Sequence, residues 1–168
     1  MDILDVKEFI KDSCEYIVTF IVIFLVVVFV FGISRVVGDS MNNTLSNRDL
    51  VVTSNSHYRL FDIKRGDVVS FHTNEVIMIK RVIGLPGDNV KIENGTILVN
   101  DQKITDENFV PDRSYTEVFL RVPKEHVFVL GDNMANSLDS RDFGFIPKQN
   151  IEAKVMFRIF PFHRSNKV

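Results

Sequence analysis

Eighteen consecutive residues from Tyr16 to Ile33, YIVTFIVIFLVVVFVFGI, carry no charge, with Thr19 and Gly32 as the only interruptions. Wound as an α-helix they extend roughly 27 Å, just enough to cross the hydrocarbon core of a bilayer with little tilt. A cleaved signal peptide and a buried pair of strands are the alternatives. The run is long for a signal-peptide core and no A-x-A-like site follows it, so it reads as an uncleaved anchor. The chain then divides into a short tail (1–15), a transmembrane anchor (16–33) and a folded domain (34–168). Lys7 and Lys11 precede the span while Arg35 and Arg48 follow it, so the positive-inside rule does not orient it. Cys14 stands just before the span, where acylation is one reading and a passive thiol the simpler one.

Beyond Ile33 the continuous apolar pattern gives way to short runs of β-formers separated by Gly, Pro, Asn and Asp, the pattern of a mainly β domain. The expected strands are 50–54, 67–72, 76–83, 89–92, 96–99, 117–122, 126–130 and 151–160. Asn94-Gly95 predicts a two-residue hairpin, because a type I′ turn needs positive φ at both central positions. Residues 100–116 are polar and contain Pro111, which reads as a surface excursion between strands. The expected architecture is a set of antiparallel sheets or a partly closed barrel, tethered by one N-terminal transmembrane helix.

Composition narrows the chemistry. Of 168 residues, 45% are hydrophobic and 25% charged, which excludes a disordered chain. The single Cys excludes an internal disulfide and a Cys-only metal site, and the four His lack the short spacings of metal ligands. No metal or other cofactor is called for. A formal net charge of −2 without a basic stripe gives no footprint for nucleic acid.

Two residues invite a catalytic reading. Ser40, in Gly38-Asp39-Ser40-Met41, lies a few residues past the span; alone, it is ordinary turn chemistry. Lys80 sits inside VIMIKRVIG, a run apolar on both faces, where an ammonium must pair, reach water or lose its proton. A neutral lysine is a general base, and with a serine it forms the Ser-Lys variant of nucleophilic catalysis.

Four ordered segments extend that pairing: SMNNTL at Ser40, GDVVSF at Gly66, KRVIGLPGD at Lys80 and VLGDNMANSLDSRDFG at Val129. In this order behind an N-terminal anchor, the sequence resembles the bacterial type I signal peptidases. The resemblance implies a membrane-bound serine endopeptidase that removes N-terminal signal peptides from exported preproteins. It implies Ser40 as nucleophile, its N–H as oxyanion donor, Lys80 as base, and Ser137 bonded to the lysine to orient it. Asp139 and Arg141 support the site, with Arg81 as their neighbour. Gly38 stands where some relatives carry a second serine hydroxyl. Segments 36–41 and 76–82, with Val37, Met41, Met78 and Val82, are implied as the walls of shallow substrate pockets. Asn43 replaces the family's usual Pro, and the family's charged residues are missing at Met134 and Ala135. The implied location is the plasma membrane, single-pass, with the N-terminus cytoplasmic and the catalytic domain extracellular. The alternative is a signal-peptidase-like pilus assembly factor, acting on pilin precursors with specialised or no proteolysis. A self-cleaving regulator of related Ser-Lys type is disfavoured by the membrane span.

Overall fold

The computed structural model describes residues 3–73, 76–104, 109 and 117–162, with side chains from residue 11 onward. The apolar run folds as a 28-residue helix, α1 (Ile3–Val30), whose segment Lys11–Val30 is long and apolar enough to cross a membrane and has none of its length buried. The helix ends three residues before the apolar run does. Phe31–Arg35 instead form β1, antiparallel to β2 (Leu50–Ser54), with Phe31 opposite Ser54 and Arg35 opposite Leu50. Gly32 permits the pairing, since a Cβ there would lie 2.9 Å from Thr53 Oγ1. The carbonyl of Val30, at the end of α1, accepts from Asn55 N at 3.2 Å, so helix and sheet are joined by a backbone hydrogen bond.

The remaining strands are β3 (Val68–Thr73), β4 (Val76–Gly84), β5 (Asn89–Glu93), β6 (Thr96–Val99), β7 (Gln102–Lys103), β8 (Val118–Arg121), β9 (His126–Leu130), β10 (Ile146–Pro147) and β11 (Ile151–Phe160). They form a seven-stranded sheet, ordered β1-β2-β11-β3-β4-β9-β10, and a four-stranded sheet, ordered β7-β6-β5-β8. Every pairing is antiparallel. The fold is therefore mainly β, and the barrel is not closed. The eight strands read from the sequence are present within a residue or two at each end. Asn94 and Gly95 take positive φ of 49° and 75° at the β5–β6 turn, as a type I′ hairpin requires. The polar stretch after Asn100 contributes the short strand β7; its residues 105–108 and 110–116 lie outside the described residues. Two one-turn helices, α2 (His57–Leu60) and α3 (Ser140–Phe143), and short 3₁₀ turns are the remaining elements among the described residues.

Three apolar clusters hold these layers. Ile83, Val90, Ile92 and Phe128 belong to the one joining the two sheets. Val69, Phe71, Val82 and Val129 pack within the large sheet, and Val36, Met41, Leu45 and Val51 pack beneath the segment that carries Ser40. Alternating antiparallel pairings from β1 through β2, β11 and β3 make β4 run in the same direction as β1. Both strands line one groove, so the sheet curls until its free edge faces β4.

Gly84, where β4 turns toward the small sheet, is packed so closely that a Cβ would lie 2.7 Å from Val90 Cγ2 and 2.8 Å from Val122 Cγ2. Gly84→Ala should overpack this joint and cost about 1–3 kcal/mol, read as a lowered denaturation midpoint. An unchanged midpoint would show that the two sheets adjust freely to one another.

Candidate active site

Ser40 stands at the start of a tight turn built from its own backbone. Asn42 N donates to Asp39 O at 3.0 Å, and Thr44 N and Leu45 N both donate to Met41 O, at 3.1 and 2.7 Å. Met41 and Leu45 are buried in the core, so the turn is pinned at both ends while Ser40 stays partly accessible. Gly38 leads into it at φ +90°, a backbone angle that favours glycine, and its N–H donates to Asn47 Oδ1 at 3.3 Å.

The Lys80 amine donates to Ser40 Oγ at 2.6 Å although the two residues are forty positions apart. Lys80 is only 4% exposed. Burial pushes its pKa below the ordinary lysine value; the carboxylates of Asp139 and Asp132 oppose that shift, and the Arg141 guanidinium adds to it.

The loop following β9 closes over the back of this pair. A Cβ on Gly131 would meet Ser137 Oγ at 2.2 Å and the Ser40 carbonyl oxygen at 2.5 Å, so only glycine allows the two serines to approach this closely. Asn133 N donates to Ser40 O at 3.0 Å and Asn133 Nδ2 donates to Asp39 O at 3.1 Å. Ser137 Oγ donates to Asp139 Oδ2 at 2.7 Å. Arg141 grips the same carboxylate through Nε at 2.8 Å and Nη2 at 3.0 Å, and Asp139 also caps α3 by accepting from Arg141 N.

A second buried ion pair lies beneath the turn. Arg81 donates to Asp132 through Nε at 2.9 Å and Nη2 at 2.7 Å, and through Nη1 to Gly66 O at 2.9 Å. Thr44 Oγ1 donates to Asp132 Oδ2, and Arg158 Nη1 donates to Thr44 O at 2.8 Å and to Asp49 Oδ2 at 3.1 Å. Arg81 Nη2 also donates to Thr44 Oγ1 at 3.2 Å, so the segment after Ser40 is tied to three distant parts of the chain.

Beside Ser40 and Lys80 runs a groove of about 1240 Å³, with β1 and Val36–Val37 along one side and Val76–Lys80 along the other. Of the residues implied as pocket walls, Val37, Met41 and Met78 line it. Val82 does not: it lies past Lys80, where β4 is already flanked by β9, and is fully buried against Val69 and Val129. Arg81 is bound to Asp132, and Ser137 Oγ donates to Asp139.

Sequence reasoning missed Asp132, Thr44, Arg158 and Leu138. Asp132 and Thr44 lie inside motifs already singled out, and their signal was a polar residue within an otherwise buried segment. Leu138 is 57% exposed and lines the groove between the pinned residues Ser137 and Asp139. No group of three His, Cys, Asp or Glu side chains suited to a metal ion occurs among the described residues.

A hydroxyl bonded to a buried amine, at the wall of an open groove between strands, is the arrangement of a serine peptidase. The model of the family "Signal peptidase, peptidase S26" matches residues 7–160. The chain is 39% identical over 149 residues to the signal peptidase I of Bacillus caldolyticus, covering 80% of this chain and 82% of that one. It is 34% identical over 168 residues to the probable signal peptidase I-1 of a Synechocystis strain, covering 94% and 86%. A crystal structure of a signal peptidase I from Enterococcus faecalis superposes with a TM-score of 0.51 at 28% identity, covering 56% of this chain and 97% of that one. This chain belongs to the signal peptidase family S26.

The lowered pKa of Lys80 has a consequence for stability. Between its folded value and the ordinary one, the unfolded chain holds a proton that the folded chain has lost, so stability rises with pH across that window. Below the window, folding bears the whole cost of burying the ammonium. Lys80→Met should therefore melt a few degrees higher than the parent at neutral pH, with the gap shrinking as pH rises into the alkaline range. A gap that stays constant with pH would mean that Lys80 titrates alike in both states.

Proposed function

We propose that this chain is a membrane-anchored serine endopeptidase that removes signal peptides from exported preproteins, with Ser40 as nucleophile and Lys80 as general base. The observation that carries the assignment of these two residues is the 2.6 Å contact between Ser40 Oγ and the buried Lys80 amine. In its neutral form Lys80 accepts the Ser40 proton as Oγ attacks the scissile carbonyl. The Ser40 N–H stabilises the developing oxyanion. Lys80 returns the proton to the leaving amine, then activates the water that hydrolyses the acyl-enzyme. Ser137, held by Asp139 and Arg141, supports the position of the lysine, and Arg81 with Asp132 supports the turn beneath the nucleophile.

Strand direction supports a pose for the substrate. β1 begins at the end of α1 and leads toward Ser40, and β4 runs the same way into Lys80. A preprotein whose apolar N-terminal segment lies in the bilayer enters from the α1 end and reaches the catalytic pair with its polar side, parallel to both strands. β1 is an edge strand and can accept it by β-augmentation, with side chains before the scissile bond facing Val37, Met41 and Met78.

The lipid bilayer is the second proposed partner. The outer face of β1, β2 and β11 aligns exposed Ile33 and Phe157 on either side of Val52, and exposed Phe160 beside Leu50, directly beyond the helix. This apolar band supports a membrane surface lying against the domain. The reading divides the chain into a cytoplasmic tail, a single plasma-membrane span ending at Val30 and an extracellular peptidase domain from Phe31. The direct hydroxyl–amine contact favours catalysis over a non-catalytic pilus assembly role.

The test is cleavage of a preprotein panel, pilin precursors included, by the detergent-solubilised full chain, with the new N-termini mapped. Cleavage after a small-x-small segment is expected, falling about a thousandfold or more in Ser40→Ala and in Lys80→Ala. Bound but intact preproteins throughout the panel would turn the assignment to an assembly factor. With chemistry rate-limiting, the single-turnover rate should rise with pH as Lys80 loses its proton and then level off. A rate independent of pH through the neutral and alkaline range would remove Lys80 as the base.

A further inference from the structure

Leu138 is a large apolar side chain turned toward solvent beside the catalytic pair, and the three apolar clusters of the described residues do not include it. Its neighbours explain its direction. Ser137 and Asp139 both have extended backbone, with φ of −136° and −151°, and their side chains meet at 2.7 Å on the buried side of the loop. Successive side chains of an extended chain point opposite ways, so Leu138 faces out of the loop and into the groove. The position is also firmly held: Asp139 is fully buried and gripped by Arg141, and Gly131 packs against Ser137. Met134, the other large apolar residue of this loop, is buried, whereas Leu138 becomes covered only when something occupies the groove.

The order of elements along the groove indicates what that occupant is. β1 and Val36–Val37 form one wall and Val76–Lys80 the other, up to the catalytic pair. The loop after β9 is a third element. Leu130 pairs with Arg81, one residue past Lys80, and Asn133 N reaches the Ser40 carbonyl, so this loop joins the groove at its catalytic end. A peptide running parallel to β1 and β4 keeps its N-terminal side between those two strands and carries its C-terminal side past them, against Leu138.

We propose that Leu138 is a specificity-determining residue for the chain released by cleavage: it forms an apolar wall for one of the first two residues after the scissile bond and favours an aliphatic side chain there over a charged one. In an extended peptide those two residues point opposite ways, so only one of them faces Leu138. The inference rests on the Ser40–Lys80 reading above and adds a determinant on the far side of the cut from Val37, Met41 and Met78.

The test uses the detergent-solubilised full chain and one preprotein that it cleaves, carrying Leu, Ser, Asp or Lys at the first and then at the second residue after the mapped cut. Values of kcat/KM are compared among the parent, Leu138→Ala and Leu138→Lys. At one of the two positions the parent should favour Leu over Asp and Lys by about tenfold, the scale of one or two methylenes in an apolar contact. Leu138→Ala should reduce that preference to within about threefold. Leu138→Lys should favour Asp over Lys at the same position, by a margin that narrows in high salt. Thermal midpoints should stay close to the parent's because Leu138 is exposed, and either variant decides the question if the other does not fold. Preferences at both positions that are the same in parent and variants would overturn the inference, and so would a change confined to the residue before the cut. Ser40→Ala measured alongside separates the two levels: full cleavage by Ser40→Ala sinks the catalytic reading and this inference with it, whereas an inactive Ser40→Ala beside unaltered preferences in the Leu138 variants sinks only the inference.

Discussion

The site depends on one amine kept out of water. Lys80 has two carboxylates close enough to favour its charged form, Asp139 and Asp132, yet burial outweighs both. Part of the reason lies in how those carboxylates are occupied. Asp139 is gripped by Arg141 and Asp132 by Arg81, each through two hydrogen bonds from one guanidinium. A carboxylate already neutralised by a bidentate arginine exerts less pull on a nearby ammonium. The arrangement brings acidic groups close to the base for their hydrogen bonds while much of their charge is spent elsewhere.

These pairs are weak contributors to stability in their own right, since desolvating two ions offsets most of their attraction. Their value lies in register. Thr44 meets Asp132 eighty-eight positions later and Arg158 one hundred and fourteen positions later, so the turn after the nucleophile forms in place only once β9 and β11 have joined the sheet. Gly131 adds a steric condition, because any side chain there would separate Ser137 from the Ser40 carbonyl. Removing one partner of the Arg81–Asp132 pair would strand a buried charge under the nucleophile, which costs more than the intact pair contributes.

The same logic explains how far the sequence could be read. Strands such as Thr96–Val99 were legible because turn chemistry brackets them, and the Ser40–Lys80 pairing because motif order is informative even without geometry. β1 was hidden inside the apolar run: Phe31–Ile33 suit a lipid-facing helix and a strand equally, and only the close approach of Gly32 to Thr53 separates the two. Val82 was misplaced because alternation along β4 says which residues share a face but not where a neighbouring strand begins to cover it. The acid that binds Arg81 was not legible, because Asp132 and Asp139 are both plausible acids in one loop, and the choice of Asp132 is made by the path of that loop in space. Arg158 gave no local sign at all; its role exists only through a contact across the sheet.

On the proposed reading, the direct passage from α1 to β1 does mechanical work. No linker intervenes, and the carbonyl of Val30 is bonded to Asn55 in the turn after β2, so the sheet cannot pivot freely on its anchor. Ser40 follows Val30 by ten residues, a path of at most about 35 Å even if fully extended. A preprotein held by its own apolar segment is measured from the same membrane surface and runs parallel to β1. Enzyme and substrate are thus indexed to a common plane, and the choice of peptide bond is made partly by distance from the bilayer. Side-chain pockets then need to discriminate only among the few bonds that this geometry brings to Ser40, which is a task within reach of a shallow apolar groove.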